Sequence, residues 1–574
     1  MSVMSKPRTC RLKTPFENGK ENWNIYPRPQ MARDSFLSLC GTWKLSVIKD
    51  DKINPLGNIT VPFPPESALS GIERMLKEGE HYLYEKTITI DESFLCETVL
   101  LHFGAVDQIA QVTLNGVYLG RHVGGYLPFT FDVTEHLRIG ENILKVEVFD
   151  DLDTDIPYGK QSKKRGGMWY TPISGIWQTV WLESVPKTYI KALRITPSLD
   201  SVIIEAEGGE IEKRLTIQTP SGFIDHKFFG NKTMIHIENP VNWTPENPYL
   251  YPFTLASGKD YVKSYFALRT ITTETVNGKA YIALNGKPYF FHGLLDQGYF
   301  SDGIYLPASP DGYRNDIKTM KSLGFNMLRK HIKIEPDTFY YDCDRYGMIV
   351  FQDMVNSGKY NFIVDTALPT VGLKRGISHP PTNRRRKLFE TEAQRTIAHL
   401  YNHPSVCYYT IFNEGWGQYD ADLLYEKFKA LDPSRIFDAT SGWFEETKSD
   451  VKSEHIYFKK ISLAESTRPL VLSEFGGYSC KIKGHAFNLD KTYGYRYFND
   501  KNEFMTAIEN LYGEEIVPMI KKGLCATVLT QVSDVEDETN GLFTYDRQVL
   551  KVDTARMQAV ANELFSTFDA ITKE

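Results

Sequence analysis

Two hydrophobic runs in the second half of the chain each stop on a glutamate. "YYTIFNEGWGQYD" (408–420) ends its apolar stretch at Asn413 and Glu414, and "RPLVLSEFGGYSC" (468–480) ends at Glu474. Two carboxyl groups flanking one bond can divide the work of breaking it: one protonates the leaving oxygen while the other attacks. Retaining glycoside hydrolysis needs this arrangement, with the groups about 5–5.5 Å apart. Residue types alone do not say which glutamate takes which part. Beside them, Asn413 is suited to a sugar hydroxyl. Trp416 and the opposite carboxylate are expected to raise the pKa of the acid.

After about residue 274 the pattern alternates strands with helices, as in "DGYRNDIKTMKSLG" (311–324) and "ADLLYEKFKALDP" (421–433). Eight strands are expected, at 288–294, 325–330, 348–353, 406–413, 435–440, 454–458, 470–475 and 526–531. Eight such units in about 300 residues predict a (β/α)8 TIM barrel. A doubly wound sheet is the main alternative, but no GxGxxG follows the first strand. In a barrel the chemistry lies at the C-terminal ends of the strands, and Glu414 and Glu474 would close the fourth and seventh, across the mouth from one another. Upstream, short alternating strands such as "IAQVTLNGVYLG" and "NILKVEVFD" predict a β jelly-roll sandwich over 1–185. "SVIIEAEG" and "YLYPFTLAS" belong to a predicted immunoglobulin-like β-sandwich over 186–273, and the barrel takes 274–574.

Other strand ends also carry polar residues: His292 and Asp296, Arg329 to His331, Asp353, His455 and Gln531. Any one alone is more often a loop or capping residue than a participant, whereas so many together point to a site. His292 and Asp296 either bind sugar hydroxyls or shape the first loop. His455 does the same or is a satisfied core histidine. Trp416 and Trp443 form a stacking platform or plug the barrel. Tyr478, just past the second glutamate, is placed to hold it. Arg329, Lys330 and Lys333 crowd the second strand end, where a substrate carboxylate would find a partner, although ion pairs with Asp353 or Glu335 are the favoured explanation. The loop 150–170, "DDLDTDIPYGKQSKKRGGMWY", is long enough to reach from the sandwich to the barrel mouth or to lie exposed.

The two glutamate motifs resemble those of glycoside hydrolase family 2, the group of β-galactosidases, β-glucuronidases and β-mannosidases. "VTLNGVYLGRHVGGYLPFTFDVTEHLRIGENILKVEVFD" (112–150) and "SGIWQTVWLE" (174–183) resemble the sugar-binding domain of that family. "FHGLLDQGYFSDGIY" and "GFNMLRKHIKIEPDTFYYDCDRYGMIVFQDM" resemble its first barrel strands. The resemblance spans about 35–565. It implies a retaining exo-β-glycosidase with Glu414 as acid/base, Glu474 as nucleophile, Asn413 on the sugar 2-hydroxyl and His331 in the sugar subsite. The histidine- and glutamate-rich segment that helps hold magnesium in large family members is missing from "FHGLLDQGYF", so no metal or cofactor is expected. "DVEDETNGLFTYDRQ" lacks the Asn-x-Lys motif of family glucuronidases. A β-galactoside is therefore the first substrate expectation, with β-galacturonide and β-glucoside behind it. A catalytically silent carbohydrate-binding protein would not need two opposed carboxylates.

Composition narrows the partners. Against 72 acidic residues stand 66 basic ones, a net charge of −6, which argues against nucleic acid or an anionic membrane surface. The one basic run, "NRRRK" (383–387), reads as a solvated helix start. Seven scattered cysteines without CxxC spacing fit reduced thiols, and neither a secretory leader nor an eighteen-residue apolar run is visible. A cytoplasmic enzyme acting on a small-molecule or oligosaccharide β-glycoside is expected, with homo-oligomerisation expected by analogy only.

Overall fold

The computed structural model describes residues 9–16, 22–370 and 380–573. Of the amino-terminal stretch read for a leader, residues 1–8 and 17–21 lie outside that range. The first sheets follow from strict alternation. In Gly140–Phe149, Asn142, Leu144, Val146 and Val148 face inward while Glu141, Ile143 and Lys145 face water. A four-stranded sheet (Phe36–Ser38, Thr98–Phe103, Phe129–Asp132, Val180–Val185) and a six-stranded sheet running from Gly41 to Phe149 share one core, including Trp43, Tyr84, Phe103 and Leu182. Asn115 and Gly116, at φ of 52° and 84°, supply the two left-handed residues that a tight hairpin turn between Ile109–Leu114 and Val117–Val123 requires. A second sandwich pairs three strands (Ile190–Pro197, Ser201–Gly208, Lys232–His236) with four (Glu212–Thr219, Gly222–Phe229, Tyr251–Ser257, Asp260–Phe266) around Ile204, Leu215, Leu255 and Phe266.

The chain then forms eight parallel barrel strands: Phe291–Asp296, Met327–Lys330, Ile349–Asp353, Val406–Asn413, Ile436–Ser441, Lys452–Ile456, Leu470–Gly476 and Leu524–Thr530. Most are buried along their whole length because helices cover the outer face, which explains their continuous apolar runs. The helices carry their own end signals. Thr382 caps Asn383–Leu400 by accepting from the Arg385 N–H at 3.0 Å, and Asp553 caps Thr554–Thr572 by accepting from the Arg556 N–H at 2.9 Å.

Ladders join seven neighbouring pairs, while the fifth and sixth strands share no ladder among the described residues. Asp450 N–H to the Phe437 carbonyl (3.0 Å) is one backbone tie there. Side chains supply the others: Phe437 N–H to Asp450 Oδ2 (2.8 Å), Ala439 N–H to Ser449 Oγ (3.2 Å), and Ser441 Oγ to His455 Nε2 (3.1 Å).

The basic run at 383–387 is more than a solvated helix start. Arg384 pairs with Asp153 at 2.6 Å and Asp155 at 3.2 Å, pinning the 150–170 loop against the barrel. Among the described residues no helix is long and apolar enough to cross a membrane.

Candidate active site

The fourth barrel strand leaves its ladder at Asn413, and Glu414 turns into the left-handed region at φ 52°. An L-residue pays for that conformation, and a non-glycine residue held there by its surroundings marks a place where direction matters. The Glu414 N–H donates to the Ser441 carbonyl at 2.9 Å, and its carboxylate, with 18% side-chain exposure, faces the mouth. Gly415 follows at φ 72°, where a Cβ would strike Phe444. Strand seven reaches Glu474 through a register slip: Glu454 pairs with Leu472, but His455 pairs with Glu474. Such a bulge re-aims a side chain, here next to His455 on the neighbouring strand.

The two carboxyl groups converge. One oxygen of Glu414, one of Glu474 and a ring nitrogen of His455 all lie within 4.8 Å of one another. His455 Nδ1 is 2.8 Å from Glu414 Oε1, and its Nε2 is 3.7 Å from Glu474 Oε1. Arg329 is buried beneath. Its guanidinium donates to Asp353 Oδ1 (3.0 Å), the Ser473 carbonyl (2.9 Å), Glu474 Oε1 (3.0 Å) and Asn413 Oδ1 (2.8 Å). Tyr457 donates to Glu474 Oε2 at 2.5 Å. Burial alone would raise the pKa of Glu474. Neighbouring His455, Arg329, His331 and Lys160 outweigh it and hold the carboxyl well below its usual range. Three such ligand-type groups also have metal-like spacing. The Arg329 guanidinium, however, already brings a fixed positive charge against Glu474 and lies 3.3 Å from His455 Nε2, so the donor set does not suit a cation.

His331 joins the same constellation. Its Nδ1 is 2.7 Å from Asp353 Oδ2, its buried Nε2 has no partner, and burial lowers its pKa, with Lys160 adding to the effect. Trp416, two residues beyond Glu414, is buried, its indole donating to the Gly358 carbonyl at 3.1 Å. Trp169 meets it edge-on at 4.9 Å, with Tyr360 and Tyr158 alongside. Trp443 lies 6.3 Å from the His455 ring.

Three expected site residues are placed elsewhere. His292 points outward from the first strand, stacked on Phe325 at 4.2 Å and flanked by Tyr512 and Phe565. Asp296 forms an ion pair with Lys330 at 2.6 Å, and Lys330 also pairs with Glu335 at 2.9 Å. Side-chain alternation explains both: Arg329 faces the barrel interior, so Lys330 and its partner Asp296 face the helices. Tyr478 packs on Phe498 and under Arg496 rather than against Glu474. Tyr457 occupies the position expected of it, and the signal was present, since Tyr457 lies two residues beyond inward-facing His455 on the same run.

The 150–170 loop reaches the mouth. Tyr158 donates through its N–H to the Asn356 carbonyl (2.9 Å) and through its hydroxyl to the Gly358 carbonyl (2.8 Å). Gly159, at φ 68°, passes so close to the Ile332 carbonyl that a Cβ would stand 3.0 Å from it. Tyr170 donates to Glu538 at 2.9 Å. Lys160 is thereby brought near enough to Glu538, His331 and Glu474 for its charge to act on all three, and among the described residues no hydrogen bond or ion pair engages its ammonium.

Residues 36–186 match the model "Glycosyl hydrolases family 2, sugar binding domain", and residues 276–485 match "Glycosyl hydrolases family 2, TIM barrel domain". A β-galactosidase of Leuconostoc mesenteroides is 24% identical over 80% of this chain and 46% of its own length. A putative β-glucuronidase of Formosa agariphila is 25% identical over 58% of this chain and 39% of its own. The chain thus spans less than half the length of these curated relatives. Among solved structures, the β-D-glucuronidase of Dictyoglomus thermophilum superposes with a TM-score of 0.74 at 19% identity, covering 94% of this chain and 98% of that one. A β-galacturonidase from Eisenbergiella tayi, bound to galacturonate, gives 0.67 at 18% identity over 92% and 97%. Domain order, barrel and both matched models agree: the chain belongs to glycoside hydrolase family 2.

Proposed function

We propose that the protein is a retaining exo-β-glycosidase with Glu474 as nucleophile and Glu414 as acid/base. The observation that carries the reading is the convergence of the two carboxyl groups within 4.8 Å, the spacing regime of double displacement. Ionised Glu474, kept so by the surrounding positive charges, attacks the anomeric carbon. Protonated Glu414 gives its proton to the departing glycosidic oxygen as that C–O bond breaks. In the second half Glu414 takes a proton from water, the water oxygen bonds to the anomeric carbon, and the bond to Glu474 breaks. Asn413, oriented by Arg329, and the unpartnered His331 Nε2 are the groups available to sugar hydroxyls. Trp169 and Tyr360, half-buried and packed on the buried Trp416, are an aromatic surface for the ring or the aglycone. All seven cysteines are unpaired, which supports a reducing, cytoplasmic setting.

A β-galactoside is the first substrate reading, because Arg329, Lys330 and Lys333 are all spent on Asp353, Asp296 and Glu335. A β-galacturonide or related β-hexuronide is the second, and unpaired Lys160 favours it. A panel of p-nitrophenyl β-glycosides (galactoside, glucoside, glucuronide, galacturonide, mannoside and fucoside) separates them. Glu474→Gln and Glu414→Gln are each expected to lower turnover by several orders of magnitude on whichever is cleaved. Near wild-type rates in Glu474→Gln would refute the assignment.

A further inference from the structure

Gly222–Phe229 forms an open edge of the second sandwich. It ends the four-stranded sheet and pairs on one side only, with Glu212–Thr219. The opposite end of that sheet, Asp260–Phe266, is bridged by Ala32, whose N–H and carbonyl bond Lys263 at 2.8 and 2.9 Å. Ile190–Pro197, an edge of the facing sheet, leans on the barrel through Ile195 N–H to Asn402 Oδ1 at 2.8 Å. Folded proteins keep bare edges short, bulged or broken by proline. This one runs eight residues in unbroken register without a proline, and it carries two exposed phenylalanines, Phe223 at 74% and Phe229 at 66%.

The phase of the ladder fixes what the edge offers. Gly230 N–H donates to the Ile211 carbonyl at 2.7 Å, so the even-numbered residues carry the bonds to the neighbouring strand. The N–H and C=O groups of Phe223, Asp225, Lys227 and Phe229 therefore point toward the free side, and their side chains share the solvent face. Another strand can bond there only through these four residues. For an identical strand running antiparallel, Phe223 opposite Phe229 places Asp225 opposite Lys227, twice over by symmetry, and engages all four. A slip by two residues sets Asp225 against Asp225 in one direction and Lys227 against Lys227 in the other. Within the subunit Asp225 already pairs with Arg214 at 2.9 Å and Lys227 with Glu212 at 2.7 Å, so the new contacts extend an alternating row of charges. The two-fold axis passes at half-buried His226, whose Nε2 lies 2.8 Å from Thr233 Oγ1.

We infer that this strand is an interface with a second copy of the chain, the two four-stranded sheets joining edge to edge in an isologous contact. The inference rests on no assignment in the active site. Sedimentation velocity of the full-length protein over a concentration series tests it, and the expected species is a dimer or an even-numbered assembly built on one. Asp225→Lys and Lys227→Asp each set like charges opposite one another at two places, and each should raise the dissociation constant of this contact about ten-fold or more. Mixed in equal amounts, the two variants restore both opposite pairs and should associate with near wild-type affinity. Asp225→Pro removes an outward N–H that the subunit's own ladder does not use, so it should abolish the contact with far-UV circular dichroism unchanged. A monomer at every concentration, or an assembly undiminished by Asp225→Pro, would overturn the interface. Charge variants that associate as the wild type does, or that gain nothing on mixing, would overturn the register.

Discussion

Arg329 offers the sharpest test, because one buried guanidinium serves structure and electrostatics together. It is 1% exposed and supports Asp353, Glu474 and Asn413 at once. Arg329→Met keeps much of the side-chain volume and removes the charge and every hydrogen bond. Two carboxylates then stay buried with less compensation, and breaking a buried pair from one side costs about 3–5 kcal/mol. Against a typical total stability of about 5–15 kcal/mol, that is a large fraction. The pH dependence has a definite sign. Glu474 titrates below its ordinary value in the folded protein, so its contribution to stability is present above the unfolded pKa of about 4.3 and is lost as pH falls through the lower folded value. Removing Arg329 raises the folded value, so the deficit should be greatest near neutrality and narrow in acid. Guanidinium unfolding at pH 7 and pH 4 reads this directly. If Glu474 is the nucleophile, the acid limb of kcat/KM should also move up by about 1–3 pH units, the effect of one adjacent opposite charge. Arg329→Lys restores charge without the planar fork and should recover the acid limb more fully than the rate. A Met variant that loses under about 1 kcal/mol, or whose deficit is the same at both pH values, would refute the reasoning.

Tyr457→Phe removes one hydrogen bond to a charged oxygen of Glu474; kcat/KM should fall about 10- to 100-fold with the unfolding midpoint little changed, as steady-state kinetics and denaturation will show. Lys160→Gln separates the two substrate readings: a β-galactoside should keep its KM within a few-fold, whereas a β-hexuronide should lose about ten-fold or more in kcat/KM. Trp177, fully buried between Tyr126 and Tyr305 with its indole donating to the Gly125 carbonyl at 2.7 Å, ties the first sandwich to the barrel top. Trp177→Ala should cost about 3–5 kcal/mol by denaturant unfolding.

The barrel was legible because its strands are buried on both faces and read as unbroken apolar runs, and each of the eight expected strands overlaps an observed one. The convergence of Glu414 and Glu474 followed from strand count, since strands four and seven face each other whatever the loops do. What strand count could not supply was direction. Asp296 and His292 lie on a barrel strand as expected, yet the period-two alternation turns them toward the helices, and Asp296 finds Lys330 there. Tyr478 failed for another reason: Gly476 and Gly477, at φ of 82° and 64°, bend the chain away directly after the glutamate strand. Lys160 and Trp169 sit more than 200 residues upstream of Glu414, on a loop whose docking depends on Gly159 and on Arg384. No local pattern announces contacts of that range.

The seam between the fifth and sixth strands carries a consequence for how this barrel can change. Seven junctions are zipped by main-chain ladders, which are indifferent to most substitutions because every residue brings the same amide. The eighth is held largely by the side chains of Ser449, Asp450, Ser441 and His455. Closure at that one joint is therefore encoded in individual codons, and it adjoins the histidine that touches Glu414. Single mutations there can reset the spacing of the two carboxylates while the rest of the cylinder stays as it is, which makes the seam the cheapest place for divergence in this scaffold to begin.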